Sequence, residues 1–174
     1  MSTQIERDER ASGKTEDQSL TLAPNRRSLD EIREDVKREV ARAVVGYQDI
    51  VDLLFVAAAA NGHVLLEGPP GVAKTLLSSS VARAMGLDFS RIQFTPDTSP
   101  THIIGTNTKR MGEVVFEPGP MFTNMLLADE INRTPPRTQS ALLEAMEERH
   151  VTVDGRTRWL PSPFVGFAAR SSDP

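Results

Sequence analysis

The chain has 174 residues, 39% of them hydrophobic, which is enough for one compact domain with a true core. A net charge of −4 argues against a general nucleic-acid binder, which normally carries a basic face, and no nucleic-acid partner is expected. The absence of cysteine excludes disulfides and thiolate metal sites, and the three histidines, His63, His102 and His150, are too scattered to form a ligand set.

From the N-terminus, Met1 to Arg27 is polar, charged and free of aromatics, and is expected to be a disordered tail (residues 1–27) ahead of the ordered part, 28–174. It contains no apolar stretch of the secretory kind. The longest wholly apolar run, Leu53 to Ala60, is far too short to span a bilayer, so a cytoplasmic protein without a membrane span is expected. Ser28-Leu29-Asp30-Glu31 fits a capping box, with Ser28 accepting from the backbone and Glu31 reaching back. Leu29, Ile32, Val36, Val40 and Ala43 then recur at helical spacing. Val44-Val45-Gly46-Tyr47 breaks that helix. Asp49 to Ala60 forms a second, largely buried one that Asn61-Gly62 stops in the left-handed manner.

His63 to Glu67 reads as a first strand. It runs into Gly68-Pro69-Pro70-Gly71-Val72-Ala73-Lys74-Thr75, and Leu76 to Met85 follows with helical periodicity, closed at Gly86. Strand, glycine-containing loop, Lys-Thr and helix is the order a phosphate-binding loop requires. Loop and helix N-terminal N–H groups face the phosphates, and the helix dipole favours their charge. Lys74 would neutralise the β- and γ-phosphates and the Thr75 hydroxyl would ligate Mg²⁺. The strict pattern has a second glycine before the lysine, where this chain has Ala73. On these eight residues alone, a Gly/Pro turn that happens to carry a lysine is the other reading.

Phe89 to Phe94 holds a second strand. Gly105, Gly112 and Gly119 punctuate Ile103 to Met121, with Val114-Val115-Phe116 extended, which favours a hairpin or exposed loop. Met125 to Ala128 is a short apolar strand ending in Asp129-Glu130. Thr134-Pro135 is expected to open the next helix as cap and first-turn proline. Leu142, Ala145 and Met146 make that helix's inner face; Glu144, Glu147 and Glu148 stay outside. Arg133 and Arg149, at helix ends, are either interface residues or simply solvated. Asp154-Gly155 between Val151-Thr152-Val153 and Arg156 to Trp159 signals a type I′ hairpin, and Phe164 to Ala168 a final strand. Strands alternating with helices imply an α/β fold with a parallel sheet covered on both faces. The ligand then belongs at the carboxyl ends of the strands, where the loop and Asp129 both fall.

An apolar strand ending in Asp-Glu, downstream of a phosphate loop, supplies what nucleotide hydrolysis needs next. Asp129 would hold Mg²⁺, directly or through water, and Glu130 would polarise the attacking water. By itself an exposed Asp-Glu at a strand end is a solvated turn; paired with Lys74-Thr75 it is a nucleotide-site signal.

These motifs resemble those of the MoxR-type AAA+ ATPases. The matching stretches are Gly62 to Gly68, Gly71 to Thr75, Ser90 to Asp97, Leu126 to Arg133, Gln139 to Met146 and Val151 to Gly155. The resemblance implies a parallel-sheet P-loop NTPase (AAA+) αβα core, with 28–174 as its N-terminal part. It implies ATP or ADP with Mg²⁺ as ligands and tolerates Ala73. It extends the nucleotide contacts over Gly68, Pro69, Pro70, Gly71, Val72, Ala73, Lys74, Thr75 and Leu76, with Val45 and Gly46 near the adenine. Lys74, Asp129 and Glu130 are then catalytic, and Thr75 and Asp129 serve the metal. Ile103 to Met121 becomes an insert and Val151 to Leu160 a hairpin, both facing the pore of a ring assembly, expected to be hexameric in full-length relatives. Chaperone-like remodelling of partners, with a von Willebrand factor A-domain protein, is the implied activity. Two departures bear on it. Where the family has a sensor asparagine this chain has Ser171, within Ala168-Ala169-Arg170-Ser171-Ser172. The sequence also stops before the fifth strand, the arginine finger and the helical lid. A nucleotide-binding remnant or interaction module with little turnover is therefore the alternative expectation.

Overall fold

The computed structural model describes residues 27–68 and 73–171; residues 1–26 of the expected tail (1–27) and four residues of the phosphate loop, Pro69, Pro70, Gly71 and Val72, lie outside them. Order begins at the capping box. Ser28 Oγ accepts from the Glu31 N–H at 3.1 Å and Glu31 Oε2 accepts from the Ser28 N–H at 2.8 Å, starting α1 (Leu29–Val40). After a turn comes α2 (Gln48–Ala59). Asn61, at φ 51°, stops it, with Asn61 and Gly62 N–H groups returning to the Ala58 and Ala57 carbonyls. That pattern satisfies the open helix end.

β1 (Val64–Gly68), α3 (Lys74–Ala84) and β2 (Phe89–Gln93) follow. Next is α4 (Pro100–Ile104), a five-residue helix too short to show periodicity, then a hairpin of β3 (Gly105–Arg110) and β4 (Glu113–Pro118). β5 (Met125–Asp129) leads through a 3₁₀ turn (Ile131–Arg133) into α5 (Pro136–Glu148). A second hairpin, β6 (His150–Val153) and β7 (Arg156–Trp159), precedes β8 (Val165–Ser171). Its turn residues Asp154 and Gly155 have φ of 49° and 73°, as a type I′ turn demands.

The central sheet is parallel, in the order β1-β8-β5-β2. Side-chain parity along its strands builds two cores. Met125 and Leu127 of β5, with Val165, Phe167 and Ala169 of β8, pack against α1, α2 and α3. Leu126 and Ala128, with Ile92 and Phe94, pack on the other face against Ile103 and against Leu142, Ala145 and Met146 of α5. Every one of these side chains is buried. The two hairpins are tied together by Asn107 Nδ2 donating to Asp154 Oδ2 at 2.6 Å and by the Arg158 guanidinium 3.7 Å from the Phe116 ring centre.

Two local expectations need correction. Thr134 does not cap α5: the helix starts at Pro136 with Pro135 in the cap position and no side-chain cap bond. A proline disfavours helical geometry in the residue before it, so Pro136 holds Pro135 extended; Thr134 is buried and approaches the Thr98 carbonyl at 3.5 Å. Arg149, half-buried, is not simply solvated. Its guanidinium donates to the Phe164 and Asn61 carbonyls, joining the ends of α5 and α2 to the start of β8.

Candidate nucleotide site

The four parallel strands end along one edge of the sheet, at Gly68, Ser171, Asp129 and Gln93. Lys74 is the first residue of α3, entered through Ala73 in left-handed geometry at φ 54°. A non-glycine residue there costs roughly 1–2 kcal/mol, and such positions concentrate at functional sites. The Lys74 ammonium donates to the Gly68 carbonyl at 2.9 Å and to the Arg170 carbonyl at 3.0 Å. It thus bridges the ends of β1 and β8. Thr75, half-buried, lies beside it in the first turn and Leu76 is exposed.

Asp129 closes β5. Its backbone carbonyl accepts from Phe94 N–H at 2.8 Å, and its side chain is only 17% exposed. Parity puts Asp129 on the face of Met125 and Leu127, the face that α3 covers. Oδ2 accepts from Arg91 Nη2 at 2.6 Å. Glu130 adopts φ 59°, the second left-handed residue of the site, which turns the chain off the sheet; Arg133 Nε donates to its Oε2 at 3.1 Å. Arg133 is therefore engaged within its own turn.

Val45 and Gly46 lie in the turn between α1 and α2, with Gly46 at φ 85° and Tyr47 at φ 61°. Val45 is exposed, while neighbouring Val44 is buried in the apolar cluster that also holds Leu77 of α3. Gly68, Ala73, Lys74 and Thr75 are thus gathered at the strand-end edge along with Asp129 and Glu130. Val45 and Gly46 are carried by the helical layer that packs on α3. Ser171 pairs with Gly68 across the β1–β8 ladder.

Among the described residues no group of three or more His, Cys, Asp or Glu side chains could hold a metal ion. A Mg²⁺ bound with a nucleotide needs no such cage, because phosphates and waters supply most of its shell and one or two protein oxygens suffice. A threonine hydroxyl and a carboxylate are hard oxygen donors of the kind Mg²⁺ prefers, so the residues present fit it.

Arg91 is the functional candidate that residue-level reading missed, although it stands inside a stretch that carries the family resemblance. The signal was available: Ile92 and Phe94 are apolar, so Arg91 and Gln93 must share the opposite face of β2, at the carboxyl end where a ligand belongs.

This parallel α/β core with a lysine-initiated helix at the strand ends has the architecture of a P-loop NTPase. Residues 63–172 match the ATPase family associated with various cellular activities (AAA), and the chain belongs to that family as a member of MoxR type. It is 55% identical over 135 residues to Chaperone MoxR1 of Mycobacterium tuberculosis, covering 76% of this chain and 36% of that protein. It is 38% identical over 160 residues to Protein MoxR of Methylorubrum extorquens, covering 87% of this chain and 46% of that protein. A crystal structure from Cytophaga hutchinsonii superposes with a TM-score of 0.72 at 44% identity, covering 82% of this chain and 45% of that one. The chain thus spans less than half the length of these relatives.

Proposed function

We propose that the chain binds Mg-ATP and Mg-ADP at the strand-end edge and contributes the metal and base side of an ATPase site. The observation that carries this reading is the Lys74 ammonium held at the junction of β1 and β8, at the strand-end edge that Asp129 shares. An ammonium resting on two carbonyls is poised for exchange, because charged phosphate oxygens are stronger acceptors than neutral carbonyls. Lys74 takes the β- and γ-phosphate oxygens, and Gly68, Pro69, Pro70, Gly71, Val72 and Ala73 are assigned to phosphate binding. Leu76, Val45 and Gly46 supply the base-proximal surface. Thr75 and Asp129 would hold Mg²⁺, which would supply positive charge to offset that of the phosphates. Glu130 accepts a proton from water as that oxygen bonds to the γ-phosphorus and the bond to the β–γ bridging oxygen breaks, yielding ADP and phosphate.

The second reading, a nucleotide-binding module with little turnover, is favoured by two observations. The sensor position is a serine, Ser171, shorter than an amide. Glu130 Oε2 is engaged by Arg133 at 3.1 Å, which ties the proposed base to its own turn. Steady-state ATPase measurement of the chain and its Glu130→Gln variant, with nucleotide binding measured in parallel, separates the readings. Turnover abolished by the substitution supports the motor; binding without turnover in both supports the module.

The resemblance to MoxR-type proteins further supports a homo-oligomeric ring, hexameric in our reading. It also supports chaperone-like action with a von Willebrand factor A-domain partner in the cytoplasm. Among the described residues no helix is long and apolar enough to cross a membrane.

A further inference from the structure

Arg91 and Asp129 come from neighbouring strands, and their contact is part of a small polar cluster on an otherwise apolar face. Gln93 is the register partner of Asp129 in the β2–β5 ladder, and Arg91 lies two residues earlier on the same face. Arg91 Nη2 donates both to Asp129 Oδ2 and to Gln93 Oε1. Inward of this cluster the same face is apolar, with Met125 and Leu127 fully buried. A carboxylate with little exposed surface is held in one orientation by a charge-assisted hydrogen bond. Arg91 supplies it while staying 41% exposed itself. Among the described residues it occupies one carboxylate oxygen, Oδ2, which leaves Oδ1 to be shared with a cation or its water shell.

The geometry points to Arg91 as a positioning residue for the metal-binding carboxylate, fixing Asp129 in one orientation so that Mg²⁺ tightens nucleotide binding. This rests on the nucleotide-site reading above. Partners behind a metal-binding group commonly set its affinity by 10- to 100-fold. The opposite role is also chemically coherent: a guanidinium could compete with Mg²⁺ for the carboxylate. The two roles predict shifts of opposite sign.

The test is binding of a fluorescent ADP analogue to the whole chain, measured in EDTA and across a Mg²⁺ titration, for the unsubstituted protein, Arg91→Ala and Arg91→Lys. The expected result is a Mg²⁺ midpoint raised about tenfold in Arg91→Ala, partly restored in Arg91→Lys, with affinity in EDTA unchanged. A purely structural ion pair would lower Tm without moving the Mg²⁺ midpoint. An unmoved midpoint, a midpoint shifted to lower Mg²⁺, or an equal loss in EDTA overturns the role of Arg91 while leaving the nucleotide site standing. Absence of binding by the unsubstituted chain with and without Mg²⁺ overturns both.

Discussion

The side-chain ammonium of Lys74 lies 3.0 Å from the backbone carbonyl of Arg170, 96 residues away in sequence. This single contact brings the start of α3 to the end of β8, and with the Gly68 bond it gathers three segments at the edge where Asp129 also ends its strand. The position that carries the family motif is thereby also a structural clasp, and of the three N–H donors of the ammonium two are held by these carbonyls.

Hydrolysis is expected to be slow. Ser171 replaces the water-positioning amide that the resemblance implies, and Arg133 engages Glu130. Glu130→Gln should retain nucleotide binding and lose whatever turnover exists, read as phosphate release over hours. Unsubstituted turnover on the order of 1 s⁻¹ or faster, typical of competent enzymes, would contradict this expectation.

Gly105 and Gly119 pin the base of the β3–β4 hairpin. A Cβ on Gly119 would sit 2.2 Å from the Ile103 carbonyl oxygen, and one on Gly105 would sit 2.2 Å from that of Glu117, with Gly105 at φ 100°. Backbone on both sides leaves no flexible end to move aside. Gly119→Ala should therefore destabilise by roughly 2–4 kcal/mol, toward the upper end of single-substitution effects, measured by urea unfolding. Gly112→Ala, at a hairpin tip with open space, tests crowding against backbone strain and should cost only about 1–2 kcal/mol, the penalty of a left-handed residue.

His63 makes stability depend on pH near neutrality. Its Nδ1 accepts from Gly166 N–H at 2.9 Å, which puts the proton on Nε2, 3.1 Å from the Met146 carbonyl. Burial, with the nearby Arg149 charge adding to it, pushes its pKa below the usual 6.5, against the opposing pull of the Met146 carbonyl. Above about pH 6.5 the imidazole is neutral in both folded and unfolded chains. As pH falls below that value the unfolded chain gains a proton that the folded chain resists, so stability declines through the window beneath 6.5. His63→Gln should flatten that slope in urea midpoints between pH 7 and 5.

A second decline belongs to Asp52, whose carboxylate takes Arg33 at 2.9 Å and Lys37 at 3.1 Å. The Arg33 hydrogen bond, reinforced by Lys37, holds it down at about 2 against a usual 3.8. Its contribution is complete above 3.8 and is lost as pH falls toward 2. Asp52→Asn should remove the part of the acid transition lying in that range.

β1 is an edge strand among the described residues, pairing only with β8, and Leu65 on it is 59% exposed. Open apolar edges recruit other strands. Light scattering should show concentration-dependent association that Leu65→Lys reduces; a monodisperse monomer at high concentration for the unsubstituted chain would contradict it.

What the sequence made legible was mostly local. The Ser28–Glu31 box, the Asn61 helix stop and the Asp154-Gly155 turn are short-range rules, and each stands in the structure where its residues predicted it. That both faces of the sheet are covered followed from the alternation of strands with helices. Thr134 misled because two adjacent prolines shift the helix start, a competition that a simple cap rule ignores. Arg149 misled because its partners, Asn61 and Phe164, are distant in sequence. The contact of Arg91 with Asp129 required knowing that β2 pairs with β5, and strand order is a tertiary fact. Lys74 and Asp129 were legible by type and spacing, but the clasp on Arg170 was not.

The most direct test of the account is thermal unfolding of the chain with and without Mg-ADP, beside its Lys74→Ala variant. Ligand at about 100 times Kd stabilises by about 2.7 kcal/mol, which should raise Tm by roughly 5–11 °C for a domain of this size. The variant should show no such rise. Its ligand-free Tm should fall only slightly, because water can take over at the partly exposed strand-end carbonyls. A rise that survives in Lys74→Ala, or none in the unsubstituted chain at saturating nucleotide, would contradict the assignment of the site.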